Sequence, residues 1–559
     1  MSLRIRLVLP AILISLGGLA ACGGGSSNPS VNPPPSGSFS NTNLSGSYVF
    51  SVTGTAADTG NDFITIMGVF TADGNGHITG GYLDQNSTVS NGLIQETITS
   101  GTYNVGSDGR PTGTSTIPTG LLSLQTSNSG TFQFDYVLTS SEHGLLTEFE
   151  SFGSASGTLD LQSTVAQSDV NGQSYAFNFT GTSGFSNSIC GFSNGATFVT
   201  PYATVGAFTL DPSGNISTGL EDFNNNCSSS GATNVSVTGG SVTLGTPVAT
   251  ASIATTIGGS VTTYNFDVFP IDKTHLKFIE IDTSPILVGD AFTQATSIPT
   301  GNNVYTVAGF DPTVPGPFTA AGLLVTDGSG NITSASTEDI NDSGVSSQVT
   351  GMTGTYTSLT GGRAELTFST GFINGNNGVA CAGNCTFAVY PSIGGLQMLE
   401  IDDGGMTNGI AYAQTATTFA SGQAYGLNLS GANTNSAEDD IAEFTNSNGA
   451  FKGIIDINQQ GTTSFRNSFT ANYSADGSIA GRGSVTPKNN AYSLVTYVVD
   501  SSTSVAVSID PSFVGLGALV QQNSSARSSV LANHLAVLRM GPSARMKRTT
   551  KKAVPSRSK

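Results

Sequence analysis

Three segments of the chain end in two acids one residue apart: Glu148-Phe149-Glu150, Glu280-Ile281-Asp282 and Glu400-Ile401-Asp402. In an extended strand residues i and i+2 share a face, so each pair lies on the same side as Leu146, as Leu276 and Phe278, or as Leu396 and Met398. Carboxylates so placed form an acidic rim where a buried face meets solvent. Paired carboxylates can perform acid–base work or bind cations and sugars, whereas a solvated rim does neither and is the simpler expectation. A fourth copy has Ser508 in place of the first acid and keeps Asp510.

Other chemistry is thin. Asp73, Asn75, Asp211, Ser213, Asp327 and Ser329 could present oxygens to calcium from tight Gly-rich loops. A strong calcium loop needs several carboxylates and a distal Glu, so these segments read as hairpin turns and no metal is expected. The histidines His77, His143, His275 and His534 show no zinc-ligand spacing. Gly191-Phe192-Ser193-Asn194-Gly195 matches the nucleophile-elbow string but lacks the strand-turn-helix setting that the motif requires. Dinucleotide and phosphate fingerprints are absent, so neither a cofactor nor catalytic residues are expected. Apart from Cys22, the cysteines fall as Cys190 with Cys227 and Cys381 with Cys385. An even number in an exported chain suggests two disulfides; three connectivities are possible, and pairing across domains is the least favoured.

The elements that must position these residues are strands. Charged residues make up 10% of the chain and Gly 71 of 559, the remainder leaning on Ser, Thr, Asn, Val, Ile and Phe, which suits strands joined by tight turns. Similar openings recur at Gly46-Ser47-Tyr48, Gly172-Gln173-Ser174-Tyr175, Gly301-Asn302-Asn303-Val304-Tyr305 and Gly422-Gln423-Ala424-Tyr425, with tyrosines 127, 130 and 120 residues apart. That period fits four small tandem domains, expected at 43–164, 171–294, 300–414 and 421–522, joined closely enough to make a stiff rod. The Asp-Gly-rich hairpin of each unit is a second repeated landmark, degenerate in the fourth as Asn446-Ser447-Asn448-Gly449.

In the first unit, strands are expected around Tyr48 and over Ile64–Thr71, His77–Leu83, Glu96–Val105, Gly113–Ile117, Thr131–Thr139, Leu145–Glu150 and Gly157–Leu161. About eight strands with hairpin-length connections favour an all-β meander barrel over a sandwich. Between the signal and Gln522, eight Lys and Arg face 37 Asp and Glu, a balance that disfavours nucleic acid as a partner of the body. Residues 523–559 carry a partial helical stripe and then a basic run, read as a disordered tail.

At the start, Arg4 and Arg6 precede an apolar run, Leu7 to Leu16, followed by Leu19-Ala20-Ala21-Cys22. This resembles the lipobox of bacterial lipoprotein precursors, which implies cleavage of residues 1–21, lipid on Cys22 and anchoring in the cell envelope. The alternative is an ordinary secretory signal. Gly23 after the cysteine implies sorting to the outer membrane, and residues 22–42 read as a Gly, Ser and Pro-rich tether. The whole resembles bacterial lipoproteins with tandem β-rich repeat domains and no assigned function. The expectation is then non-catalytic surface recognition or adhesion, with a glycan or protein ligand; the alternative is a carrier of small apolar molecules in lipocalin-like barrels.

Overall fold

Runs of alternating apolar residues, punctuated by Gly and Asx turns, fold into four closed barrels of eight antiparallel strands each. The computed structural model describes residues 39–522 apart from 58–62, 89–92, 115–116, 186–197, 225–232, 258, 311–316, 371–384, 403–405, 434–435 and 490. The first barrel comprises Ser45–Ala56, Phe63–Asp73, His77–Ser87, Ile94–Thr102, Leu122–Thr126, Thr131–Leu138, His143–Glu148 and Gly153–Leu161. The second runs from Ser174–Phe185 to Ile286–Thr293, the third from Gly301–Phe310 to Met406–Ala413, and the fourth from Gln423–Asn433 to Phe513–Gln521. In each, strands pair in sequence order and the eighth returns to the first. A meander of this size needs only local connections and leaves no open edge.

Each interior is filled by its own side chains, as eight strands allow. Phe50, Phe70 and Phe134 pack in the first barrel; Phe177, Phe179, Phe266 and Phe278 in the second; Phe368 and Phe387 in the third; Phe444, Phe451 and Phe469 in the fourth.

Two sequence expectations shift. The stretch Gly113–Ile117 is not a barrel strand: Gly113–Thr114 and Ile117–Pro118 form a separate small hairpin, and Leu122–Thr126 supplies the fifth strand. Tyr305 is not the counterpart of Tyr48. Phe50, Phe177 and Tyr305 each sit opposite a glycine of the second strand (Gly68, Gly206, Gly322), so Asn303 holds the place of Tyr48 and Tyr175. A slip of two residues keeps the same face inward, which is why the sequence pattern did not reveal it.

The expected rod is instead a closed ring. Strands one to three of the first barrel meet strands six and seven of the second, and the corresponding faces join the second to the third and the third to the fourth. The fourth barrel then packs its first two strands on strands six to eight of the first. One head-to-tail contact used four times closes because its rotation is near a quarter turn. The seventh strands His143–Glu148, His275–Glu280, Gly395–Glu400 and Thr503–Ser508 are therefore buried on both faces, while fourth strands such as Val345–Ser358 stay largely exposed. Contact faces made of strands one to three and six to eight adjoin through strands one and eight, which places those two strands on the inner side of the ring.

One pattern in the third strand builds all four seams. Asp84, Asp222, Asp339 and Asp456 occupy the same register, opposite Met67, Val205, Ala321 and Ile441. Two residues on, an asparagine donates its amide to main-chain carbonyls of the next barrel: Asn86 to Glu280 and Asp282, Asn224 to Glu400, Asn341 to Asp510 and Phe513, Asn458 to Glu148 and Gly153. At the second seam Arg363 grips Asp222 with two N–H groups (2.7 and 2.9 Å), and Tyr390 donates its hydroxyl to the same carboxylate (2.6 Å). At the third seam Arg482 and Tyr497 do the same to Asp339. At the closing seam, between the fourth and first barrels, Arg110 pairs with Asp456 with both side chains fully buried. Arg466 lies across that seam from Asp108, so all four arginines of the body, Arg110, Arg363, Arg466 and Arg482, serve seams.

Candidate functional site

The ring has two unlike rims. One carries short turns in which Asp73, Asp211 and Asp327 each accept two main-chain N–H groups, from Asn75 and His77, Ser213 and Asn215, and Ser329 and Asn331. These bonds hold Asp73 down at about 2, those from Asn75 and His77 being the largest causes, and lower Asp211 as well; Asp327 is lowered first by the Asn331 side-chain amide and then by its main-chain bonds. The oxygens that a calcium ion would need are thus engaged by the turn itself.

The chain also enters and leaves at this rim. Phe39 and the Gln522 side chain both press on Gly109, whose positive φ of 79° and absent Cβ make room for them. Gln522 Nε2 donates to the Asp108 and Leu138 carbonyls (2.8 and 3.0 Å), fixing the end of the last barrel to the first.

The opposite rim carries the connections from first to second strand, which differ in length from barrel to barrel: 57–62, 186–197, 311–316 and 434–436. It also carries 225–234 and 371–384, so the longest connections at this rim belong to the second and third barrels, while the longest between any two barrel strands, 103–121, lies at the first rim. Variable loops on a rigid, repeated scaffold are the usual seat of recognition.

Beneath the loop rim the second barrel changes character. Where the first barrel buries Ile64, Ile66, Leu83 and Phe132, the second has Tyr202, Thr204, Glu221 and Tyr264 at the same registers. Glu221 accepts hydroxyl hydrogens from Thr204 and Thr255 (both 2.6 Å), the Tyr202 and Tyr264 hydroxyls meet at 2.8 Å, and Tyr202 stacks on Phe223. Glu280 adds a second buried carboxyl, approached by the Leu287 main-chain N–H. Burial raises both Glu221 and Glu280; the Thr204 and Thr255 hydroxyls work against it at the first, and the Asp282 and Glu221 charges add to it at the second. Buried carboxyls beside hydroxyls can donate and accept hydrogen bonds, the chemistry suited to a polar, hydroxylated ligand.

The acidic pairs divide by position. Glu148, Glu280 and Glu400 are buried, not solvated, because each lies opposite Phe134, Phe266 or Phe387 on the inward face of its own closed barrel. Burial lifts Glu148 to about 9. The second acids are half-buried caps: Glu150, Asp282 and Asp402 accept the main-chain N–H of Gln133, Asn265 and Thr386 in the sixth strand. The six therefore form no common acidic patch.

Cys385 begins the sixth strand of the third barrel and is buried. Cys22, Cys190, Cys227 and Cys381, the Gly191–Gly195 string, residues 22–38 of the tether and the tail lie outside the described residues, whereas residues 39–42, also assigned to the tether, pack on the first barrel, where Phe39 is buried and Asn41 accepts the Val105 main-chain N–H. Among the described residues no cluster of three or more metal-ligating side chains occurs, and no helix is long and apolar enough to cross a membrane. The seam Asp and Asn residues went unnoticed in the sequence, although aligning the four units on their third strands exposes Asp84-Gln85-Asn86, Asp222-Phe223-Asn224, Asp339-Ile340-Asn341 and Asp456-Ile457-Asn458. No protein-family model matches the chain, and no curated protein is similar to it.

Proposed function

We propose that the protein is an exported lipoprotein of the outer membrane, held by lipid on Cys22, whose ring of barrels presents one loop-bearing rim for non-catalytic recognition of an extracellular glycan. The observation that carries this reading is the division between rims. Phe39, next to residues 22–38 of the tether, lies at the rim that carries the Asp73, Asp211 and Asp327 turns and the excursion 103–121. An anchor there would aim the variable loops away from the membrane. The hydroxyl and buried carboxyl groups toward the loop-bearing rim of the second barrel suit a sugar better than an ion. The filled, aromatic interiors weigh against the alternative of a carrier for apolar molecules. Pairing of Cys190 with Cys227 and of Cys381 with Cys385 would brace the two barrels with the longest loops, as an exposed recognition surface requires.

The test is a glycan array probed with the body from Ser38 to Gln522, with calcium and with chelator. The expected result is calcium-independent binding to a subset of glycans, lost when 186–197 and 225–232 are replaced by short Gly-Ser connections. No binding to any glycan, or binding that survives both replacements, contradicts the reading. Anchoring is checked separately: radiolabelled palmitate should enter the wild-type chain and not Cys22→Ala.

A further inference from the structure

The first seam departs from the other three. Its third-strand acid, Asp84, faces another acid, Asp267 on the sixth strand of the second barrel. Both side chains are buried, at 0 and 2% exposure. At the register from which Arg363 enters the third barrel, directly before Ala364 and the fifth strand, the second barrel has Val248 before Ala249. Val248 packs with Val49, Met67, Phe269 and Ile279 in the apolar part of the seam. The groups that face Asp84 are Tyr82 on its own strand, Gln95 on the fourth strand and Asp267 across the seam, and no cation is among them. Gln95 Nε2 donates to Asp267 Oδ2 at 2.6 Å, while neither oxygen of Asp84 takes a well-formed hydrogen bond.

Two ionised carboxylates are acceptors only and repel at close range, so this geometry requires a hydrogen between them. We propose that a single proton shared by Asp84 and Asp267 closes the first seam in place of the arginine, making it the part of the ring that loosens as pH rises. Burial, and then the facing acid, push Asp84 up to about 9, and burial raises Asp267 too. An unfolded Asp releases its proton near pH 4, so between about 4 and 9 the closed seam holds more protons than the open one. Its stability is therefore greatest at acid pH and falls across that window. The second and third seams, gripped by Arg363 and Arg482, have no such pair, while at the closing seam Arg110 offsets part of the same requirement, since Asp135 is raised there beside Asp456. Rising pH would thus loosen the contact between the first and second barrels before the second and third seams.

Hydrogen exchange of the whole chain, read by mass spectrometry and corrected for intrinsic rates, tests this between pH 5 and 9. The expected result is loss of protection in His77–Ser87 and Ser260–Asp272, by up to about tenfold per pH unit, with Asn331–Asp342 at the third seam as a flat control. Asp84→Asn should abolish the slope, because an amide donates the missing hydrogen at every pH. Should that variant not fold, Asp267→Asn carries the same expectation from the other barrel. A slope in either folded Asn variant equal to wild type overturns the proposal. So does protection at pH 8 that calcium restores and chelator removes, since a bound metal ion would then replace the proton.

Discussion

The closing seam and the first seam flank the same barrel and rest on the same two acidic positions. Asp456 meets Asp135 at one, Asp84 meets Asp267 at the other, and Asp135 and Asp267 each follow a phenylalanine paired with the buried glutamate of the seventh strand. Only the closing seam has Arg110. That arginine comes from the excursion 103–121 between the fourth and fifth strands of the first barrel, not from the register used by Arg363 and Arg482. Even with Arg110 beside it, burial and Asp456 keep Asp135 well above the usual carboxylate range, so one guanidinium balances one of the two acids. The closing seam thus has an arginine beside its raised acid. The seam between barrels already joined by a short linker has none beside its acid pair, its buried lysine, Lys277, being held by Asp290. Linked barrels lose less entropy on docking, so their seam can be weaker and the ring still closes.

Removing the arginine should break this contrast with the largest effect. Arg110→Met leaves Asp456 buried without its cation and should cost about 3–5 kcal/mol, read as a lower urea midpoint and early unfolding of the fourth barrel. Next are the asparagines. Asn458→Ala and Asn86→Ala each strand two main-chain carbonyls and should cost about 1–3 kcal/mol, and the closing-seam variant should show the larger loss of cooperativity because no short linker holds that contact. A gain-of-charge change sharpens the comparison from the other side. Val248→Arg places a guanidinium at the first seam's vacant register and should change stability at pH 6 by less than about 1 kcal/mol while flattening the fall toward pH 9. The smallest effect belongs to the turns. Because Asp73 is held at about 2, its turn is stabilised above pH 4 and loses that support only as pH falls through 2, so the Asn75 and His77 amides should keep their NMR shifts at pH 3.

The sequence pattern carried the barrels but not the ring. Alternating runs such as Phe132, Phe134, Tyr136 and Leu138, separated by Asx-Gly turns, specify strands with one buried face, and local connections then leave the meander barrel as the simplest closure. The seventh strands held the missing information. His275-Leu276-Lys277-Phe278-Ile279-Glu280 and Thr503-Ser504-Val505-Ala506-Val507-Ser508 read as ordinary or nearly continuous apolar runs, and a strand buried on both faces is what a second packing layer looks like. Burial of Lys277 beside Asp290 and His275 could not be foreseen from spacing, since it depends on the first barrel covering that face. The acidic pairs were placed correctly along their strands but assigned to solvent, because closure of each barrel over its inward face is non-local. The polar mouth of the second barrel escaped notice for a related reason. Tyr202, Glu221, Tyr264 and Glu280 come from four different strands, and only closure of the barrel brings them together.

Ring closure is most directly tested by the distance between the first and fourth barrels. Ser151 abuts Gly461 across the closing seam, so spin labels at Ser151 and the exposed neighbour Thr462 should give one short, narrow distance distribution by pulsed dipolar spectroscopy. The same labels on Arg110→Met should lengthen and broaden. A long or broad distribution in the wild-type chain, as expected of four barrels strung in a rod, would contradict the closed ring and the seam chemistry derived from it.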